Sequence, residues 1–304
     1  MKAPRKTERP ITSPITLAVV AVVNPASGSA SAQDLREALE QAGVIDVRET
    51  TEDDPGGTMA GDAVASGASL LLACGGDGTV RACLEPLDGA ATDLGIIPLG
   101  TGNLLAGNLD LPVGLEALAV ALSPGSRRLD LGVVNGEYFA VMAGSGFDAL
   151  MIRDANAKAK RRFGNIAYVV SAARHLPAGL VRTRVVVNEV EVWAGRTAMV
   201  LVGNCSSVTG GLAVFPDAHP DDGLLDVAVL SARTLSQLVS VVWRLLRGRS
   251  QRPDLVARFQ GTDITVRTNQ PRPYELDGED RPASAELIFS IRPGVLGVRV
   301  GSRS

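Results

Sequence analysis

Three glycine-rich loops hold the residues whose types and spacing could do chemistry. Gly75-Gly76-Asp77-Gly78-Thr79 follows the apolar run Leu70-Leu71-Leu72-Ala73-Cys74 and precedes a helical pattern. Without Cβ atoms, backbone at such glycines can approach a polyphosphate, and main-chain N–H groups then face the anion. Asp77 is placed to hold the Mg²⁺ of a bound nucleotide or to orient an attacking hydroxyl, and Thr79 to donate to a phosphate oxygen. The alternative is an ordinary glycine-rich turn. Pro98-Leu99-Gly100-Thr101-Gly102-Asn103 repeats the arrangement, and Asn24-Pro25-Ala26-Ser27-Gly28 follows the first apolar run. Loops leaving the carboxyl ends of parallel strands can converge on one crevice.

Competing nucleotide motifs fail on particular residues. A P-loop needs a lysine after its last glycine, and lysine occurs only at Lys2, Lys6, Lys158 and Lys160. Leu105 stands where a dinucleotide fingerprint beginning at Gly100 needs its third glycine. The strand lysine, catalytic loop and D-F-G of protein kinases are missing.

Two acidic segments come later in the chain. In Asp277-Gly278-Glu279, a carboxylate could act as general base toward a hydroxyl, or the triplet could be a plain hairpin turn. Clustered oxygens in Pro216-Asp217-Ala218-His219-Pro220-Asp221-Asp222-Gly223-Leu224 suit a hard cation such as Mg²⁺, or a solvated turn. His219 reads as a loop residue and His175 as a helix-end residue.

These residues need elements to position them. The first 130 or so residues alternate strand and helix patterns. Strands are expected at 16–23, 44–50, 69–74 and 94–98, with helices at 31–43, 58–65, 79–84 and 113–122. That alternation implies parallel βαβ units in a doubly wound sheet. In the first helix, Ser31 and Asp34 form a capping-box pattern, Leu35 and Leu39 an apolar face, and Gly43 a stop. Beyond 129 the chain reads as extended, with a turn at Asn135-Gly136 and a helix at 166–175. Short strands follow at 182–192, 196–202, 224–230, 263–267, 284–291 and 295–300. One amphipathic helix, 235–247, interrupts them. The expected fold class is therefore an N-terminal doubly wound α/β domain followed by a β-sandwich-like domain. The expected division is a basic tail at 1–14, an α/β domain at 15–132 that can recruit a C-terminal strand at 294–304, and a second domain at 133–293.

Bulk properties exclude other classes. The chain has 304 residues, 45% of them hydrophobic and 21% charged, which suits a globular protein rather than a disordered one. A net charge of -3 gives no pull toward nucleic acid. Cys74, Cys83 and Cys205 make no disulfide framework, so a cytoplasmic location is expected. The basic N-terminus before the apolar run 17–23 has the look of a secretory signal. The run is short, valine-rich and flanked by Pro14 and Pro25, so a buried first strand is expected instead. No apolar stretch approaches the ~20 residues of a membrane span.

Together the motifs resemble the diacylglycerol kinase catalytic-domain family, which includes bacterial lipid kinases and sphingosine kinases. The resemblance covers about residues 16–300. It rests on Asn24-Pro25-x-Ser27-Gly28, Gly75-Gly76-Asp77-Gly78-Thr79, the 98–103 loop, Gly144-x-Gly146-Phe147-Asp148-Ala149, Gly203-Asn204, Asp221-Asp222-Gly223-Leu224-Leu225-Asp226 and Asp277-Gly278-Glu279. It implies a first domain of the phosphofructokinase and NAD kinase type, with ATP between the domains. Glu279 is implied as general base and Asp77 as a second essential carboxylate. The ATP-binding residues carried over are Asn24, Ser27, Gly28, Thr51, Gly75, Gly76, Asp77, Gly78, Thr79, Val80, Arg81, Gly100, Thr101, Gly102 and Asn103, with Thr50 as an alternative to Thr51. A structural Mg²⁺ is implied on Asp222 and the main-chain oxygens of His219 and Leu224.

The sequence departs from the family where Arg81-Ala82 replaces an Asn-Glu pair. The implied activity is transfer of the γ-phosphoryl group of ATP to a lipid hydroxyl, of diacylglycerol or a related lipid. The alternatives are a NAD kinase-like enzyme and a non-catalytic nucleotide- and lipid-binding protein. The implied partner is a membrane lipid, reached by peripheral contact at the inner face of the membrane. The helix at 235–247, with Arg244, Arg247 and Arg249, and the cluster 158–162 could dock there; alternatively that helix packs on the core. The sequence leaves open whether the chain forms a homodimer.

Overall fold

The computed structural model describes residues 18–28, 32–146, 180–208, 212–247 and 252–301. The expected tail, the 158–162 cluster, the helix at 166–175 with His175, Ser31 and the Phe147-Asp148-Ala149 motif lie outside the described residues.

The N-terminal half is built on four parallel strands. β1 (Val19–Val23), β2 (Asp46–Glu49), β3 (Leu70–Gly75) and β4 (Asp93–Pro98) lie in the order β4-β3-β1-β2. All six residues of β3 are buried, which explains its unbroken apolar run: a central parallel strand is covered on both faces. Leu70, Leu72 and Cys74 pack with Leu35 and Leu39 of α1 (Ala32–Gln41) and with Ala117 and Ala121 of α6 (Ala117–Ala121). Leu71 and Ala73 pack on the other face with Ala60 and Ala63 of α2 (Gly57–Ala65) and with Leu84 and Leu87 of α4 (Leu84–Leu87). The helix expected at 79–84 is instead α3 (Asp77–Ala82), which begins two residues earlier, directly at the glycine loop. The helix expected at 113–122 splits into a 3-10 turn (Gly114–Glu116) and α6. α5 (Leu104–Asn108) follows the 98–103 loop.

The second half is β-rich, and its sheet is continuous with the first. β5 (Ser126–Val134) turns at Asn135-Gly136 into β6 (Glu137–Phe139), with φ of 49° and 90° at the turn. β7 (Met142–Ser145) follows. The run expected at 182–192 is instead a hairpin of β8 (Val181–Val187) and β9 (Val190–Thr197). Its two-residue turn is Asn188-Glu189, both at positive φ, 47° and 68°. The glutamate concealed it, because such turns usually announce themselves with glycine. β10 (Met199–Gly203), β11 (Ser207–Val208), β12 (Leu212–Ala213), β13 (Leu225–Leu230) and β14 (Val256–Gly261) precede two long strands. These are β15 (Asp263–Leu276) and β16 (Glu279–Arg299), joined at Asp277-Gly278.

β16 merges the two strands expected at 284–291 and 295–300. It pairs with β15 and β5, and near its end Val298 pairs in parallel with Leu94 of β4. Among the described residues, fourteen strands share this one hydrogen-bonded network, and β11-β12 form a separate pair. The core of the second half gathers Phe139, Val185, Val202, Val227, Ile264, Leu276 and Phe289. α7 (Leu235–Leu246) starts on a capping box between Thr234 and Gln237. It buries Leu238 and Val241 against Leu230 and Leu255, and leaves Val239 and Trp243 exposed.

Candidate active site

The three glycine loops leave the same edge of the parallel sheet side by side. Asn24 N–H donates to the Cys74 carbonyl at 2.9 Å and Leu99 N–H to the Gly75 carbonyl at 2.8 Å. Gly76 and Gly100 touch through bare backbone, so a Cβ on Gly100 would lie 2.6 Å from the Cα of Gly76. Asn24 Nδ2 donates to Thr79 Oγ1 at 3.4 Å, tying the first loop to the second. Asn103 sits at φ 48°. Its amide closes the 100–103 loop on itself, with Gly100 N–H donating to Oδ1 at 3.0 Å and Nδ2 donating to the Gly100 carbonyl at 2.8 Å. Thr51 Oγ1 accepts from Asp54 N–H at 3.1 Å. Thr50, its alternative, is buried, and its N–H donates to the Val23 carbonyl at 2.8 Å.

Asp77 opens α3 and faces the 100–103 loop. Its Oδ1 accepts from Leu104 N–H at 2.5 Å, and its Oδ2 fills the space a side chain on Gly102 would take. Burial pushes its carboxyl up, opposed by the N–H groups of Leu104, Asn103 and Asp77 itself. The negative charge of Glu279 pushes the same way as burial, which places the two carboxylates in one local field.

Glu279 arrives from the other half of the molecule. Asp277-Gly278 is the tight turn that joins β15 to β16, as the hairpin reading of that triplet expects. Positive φ at both residues, 46° and 87°, matches the tight two-residue turn a twisted antiparallel pair prefers. This tip sets Glu279 Oε1 against Gly78, where a Cβ would collide with it. Oε2 accepts from Arg81 Nε at 3.0 Å and Nη2 at 2.5 Å, and from Arg281 Nη2 at 3.3 Å. Arg281 Nε also donates to Glu137 Oε2 at 2.7 Å.

Arg281 and Glu137, which sequence reading did not single out, and Asp277, named there only within the acidic triplet, make polar contacts around the hairpin tip that carries Glu279. Asp277 is buried and its carboxylate accepts three N–H bonds, from Ala140 at 2.7 Å and from Val141 and Met142 at 2.9 Å each. That fastens the hairpin tip to the corner before β7. Burial pushes its carboxyl up to about 6 against those three donors. The available signal was the aspartate itself, since asparagine and aspartate favour left-handed turn positions. The three donors lie more than a hundred residues away.

The Asp221-Asp222-Gly223 turn lies around a second buried aspartate, Asp130. Asp130 Oδ2 accepts from Gly223 N–H at 2.7 Å and Oδ1 from Gly294 N–H at 2.6 Å. Asn204 Nδ2 donates to the carbonyls of Asp130 and Ala140, both at 2.9 Å, locking the junction between the halves. Asp222 Oδ1 accepts from Leu224 N–H at 2.9 Å, and Asp221 pairs with Arg127. Among the described residues no group of three His, Cys, Asp or Glu side chains could hold a metal. The set carried over for Mg²⁺ is one carboxylate and two carbonyls. Its oxygen-only chemistry fits a hard cation that keeps several waters. The three cysteines are buried, and burial pushes each thiol up, which leaves no activated thiolate among them.

Comparisons with known proteins match both halves. The family model described as "Diacylglycerol kinase catalytic domain" matches residues 18–134, and "YegS C-terminal NAD kinase beta sandwich-like domain" matches residues 141–300. The chain is 32% identical over 261 residues to a Pseudomonas aeruginosa protein named "Probable lipid kinase YegS-like", covering 85% of each chain. It is 31% identical over 276 residues to a Bacillus subtilis protein named "Diacylglycerol kinase", covering 85% of this chain and 88% of that one. Among solved structures it is similar in fold to a diacylglycerol kinase from Bacillus anthracis, with TM-score 0.71, 19% identity and coverage of 94% and 97%. It is also similar to an NAD kinase from Archaeoglobus fulgidus in complex with ATP, with TM-score 0.53, 14% identity and coverage of 93% and 94%. The chain belongs to the diacylglycerol kinase catalytic-domain family, with the YegS-type β-sandwich-like domain as its second half.

Proposed function

We propose that this chain is a lipid kinase that moves the γ-phosphoryl group of ATP to the hydroxyl of diacylglycerol or a related lipid. The observation that carries the reading is the meeting of Glu279, at a hairpin tip of the second half, with Gly78 in the glycine loop of the first. Family membership supports it independently.

In this reading the N–H groups of loops 24–28, 75–79 and 100–103 bind the polyphosphate. Asn24, Ser27, Thr79, Val80, Arg81 and Thr101 line it, with Thr50 or Thr51 at its margin. The touching glycines Gly76 and Gly100 are the fit test for ATP: side chains there would fill the cradle. Glu279 accepts the proton of the acceptor hydroxyl as its oxygen bonds to the γ-phosphorus, the bond to the β–γ bridging oxygen breaks, and ADP departs. Phosphoryl transfer asks mainly for alignment and charge neutralisation, so partial proton removal is enough. Mg²⁺ bound with the nucleotide would supply that neutralisation, and Asp77 is the carboxylate that would hold it. A second Mg²⁺ on Asp222 and the carbonyls of His219 and Leu224 would hold the turn beside Asp130.

Among the described residues no helix is long and apolar enough to cross a membrane. Lipid access is read as peripheral contact at the inner membrane face. The outer side of α7 is the candidate surface: Val239 and Trp243 are exposed, and the Arg247 guanidinium stacks on the Trp243 ring at 4.1 Å.

The test is purified protein with MgATP and diacylglycerol in mixed micelles. Lipid phosphate should form, and Glu279→Gln should abolish it while ATP still binds; unchanged turnover in that variant removes Glu279 as base. The fold likeness to an NAD kinase supplies the second reading. Phosphorylation of NAD with no lipid product in the same assay would put it first.

A further inference from the structure

Arg81, on α3, reaches across to the second half. Its guanidinium donates twice to Glu279 Oε2, from Nε at 3.0 Å and Nη2 at 2.5 Å, across 198 residues of sequence. Arg281 donates to the same oxygen at 3.3 Å. The two arginines are not equivalent. Arg281 is anchored elsewhere, through Nε to Glu137 Oε2 at 2.7 Å and through Nη1 to the Asp280 carbonyl at 3.0 Å. Among the described residues Arg81 makes its hydrogen bonds to Glu279 and has a 4.0 Å ionic contact with Glu137. Both guanidinium side chains are largely shielded, 17% and 14% exposed, so their charges are less screened than at a surface.

The other oxygen of Glu279 faces Gly78 in the phosphate loop. A guanidinium on this carboxylate therefore lies within side-chain reach of any phosphoryl group held by that loop. A terminal phosphate offers more charge and more acceptor oxygens than one carboxylate, and guanidinium binds it as a fork. With Oε2 engaged by both guanidiniums, that oxygen is not free to accept a hydrogen bond from a hydroxyl.

We propose that Arg81 is a shared positioning residue: the terminal phosphate of a bound nucleoside triphosphate competes with Glu279 for its guanidinium, and when Arg81 passes to that phosphate Glu279 is freed for the acceptor hydroxyl. This rests on the kinase reading above. Arg281, held by Glu137, stays behind and keeps Glu279 aimed. A nucleoside diphosphate lacks the terminal group, so Arg81 returns to Glu279 after transfer.

Competition for one guanidinium is a coupling, and a double-mutant cycle measures it. Binding of ATP and of ADP, each with Mg²⁺, would be measured by calorimetry on the full chain, wild type and variants. Glu279→Gln should tighten ATP roughly tenfold, the size of one charge-assisted bond released, and leave ADP nearly unchanged. Arg81→Met should weaken ATP, and in its background Glu279→Gln should have no further effect. Tightening of equal size in the Arg81→Met background is simple removal of negative charge and overturns the proposal. So does equal tightening of ADP, or no tightening at all.

Kinetics give a second readout. Arg81→Met should raise KM for ATP more than it lowers kcat, with KM for lipid unchanged, and Arg81→Lys should recover part of the ATP KM. A loss confined to kcat, equal in both variants, overturns the proposal. Arg81→Met keeps the Arg281–Glu279–Glu137 contacts, and a melting curve close to wild type excludes misfolding. The binding cycle needs no turnover. Coupling without lipid phosphorylation sinks the proposed activity and leaves the role of Arg81. Lipid phosphorylation without coupling does the reverse.

Discussion

The two halves of the candidate site are made by different means. The N-terminal half contributes mainly backbone: three loops at the ends of parallel strands, two of them touching glycine to glycine, with Asp77 and Arg81 as its charged groups. The second half contributes charge: Glu279, Arg281 and the buried Asp277 on the β15–β16 hairpin, and Glu137 on β6. Backbone built on a rigid buried sheet tolerates no extra atoms. A charge cluster tolerates substitution in shape but not in charge. The comparison teaches that steric changes should be ruinous on one side of the cleft, and isosteric neutralisations on the other.

The largest effect should come from filling the glycine contact. In Gly100→Val the new Cβ meets the Gly76 backbone, which has no rotamer to relieve the clash. Nucleotide binding should fall by about 100-fold or more, since two bonded contacts at ~1.4 kcal/mol per factor of ten suffice. Near-normal ATP affinity in that variant would break the comparison at its first side.

Next comes the isosteric change Asp277→Asn. Only one of the carboxylate's two oxygens survives as an acceptor, and the new amide N–H₂ group faces main-chain donors. A loss of about 2–3 kcal/mol in urea unfolding is expected, the penalty of buried donors left unmet. Activity should fall with it, because the tip that aims Glu279 loosens.

The same hairpin sharpens the comparison through pH. Burial pushes Glu275 up to about 7, with the charges of Asp280 and Asp277 adding to it, and Asp277 up to about 6. Their ordinary values are 4.5 and 3.8. The folded chain therefore holds protons that the unfolded chain has released, so stability present at low pH is lost as pH rises through about 6 and 7. Unfolding free energy at pH 7.5 should lie below that at pH 5 by roughly 1–3 kcal/mol. Glu275→Gln and Asp277→Asn should each flatten that slope. A slope of the opposite sign would show that these carboxyls stay ionised in the fold.

The smallest effect serves as a baseline. Arg267 and Glu286 pair on the exposed face of β15 and β16, at 62% and 43% side-chain exposure. Neutralising either should change stability by less than about 0.5 kcal/mol and leave activity unchanged, as for most exposed pairs. A larger loss would mean that charge matters on this sheet generally rather than at the hairpin tip.

Much of the architecture was legible because its signals are local. Leu70-Leu71-Leu72-Ala73-Cys74 announces a strand covered on both faces, and it is buried throughout. Asn135-Gly136 announces a turn and adopts one. The apolar spacing of 235–247 announces a helix, and Thr234 and Gln237 cap it. Where the local signal was weak, the sequence misled: Asn188-Glu189 turns without a glycine, and β16 continues through Pro293 and Gly294 as one strand with a register shift.

The sequence by itself determined the parallel βα units, the three loops at their ends and the presence of a late acidic turn. Each depends on residues within a few positions of one another. Only the tertiary structure decided that Glu279 meets Gly78, that Asp277 ties down the corner at 140–142, and that Arg81 grips Glu279 from the opposite half. Those contacts join residues more than a hundred positions apart. Sheet register brings them together, and no composition, period or spacing along the chain encodes that register directly.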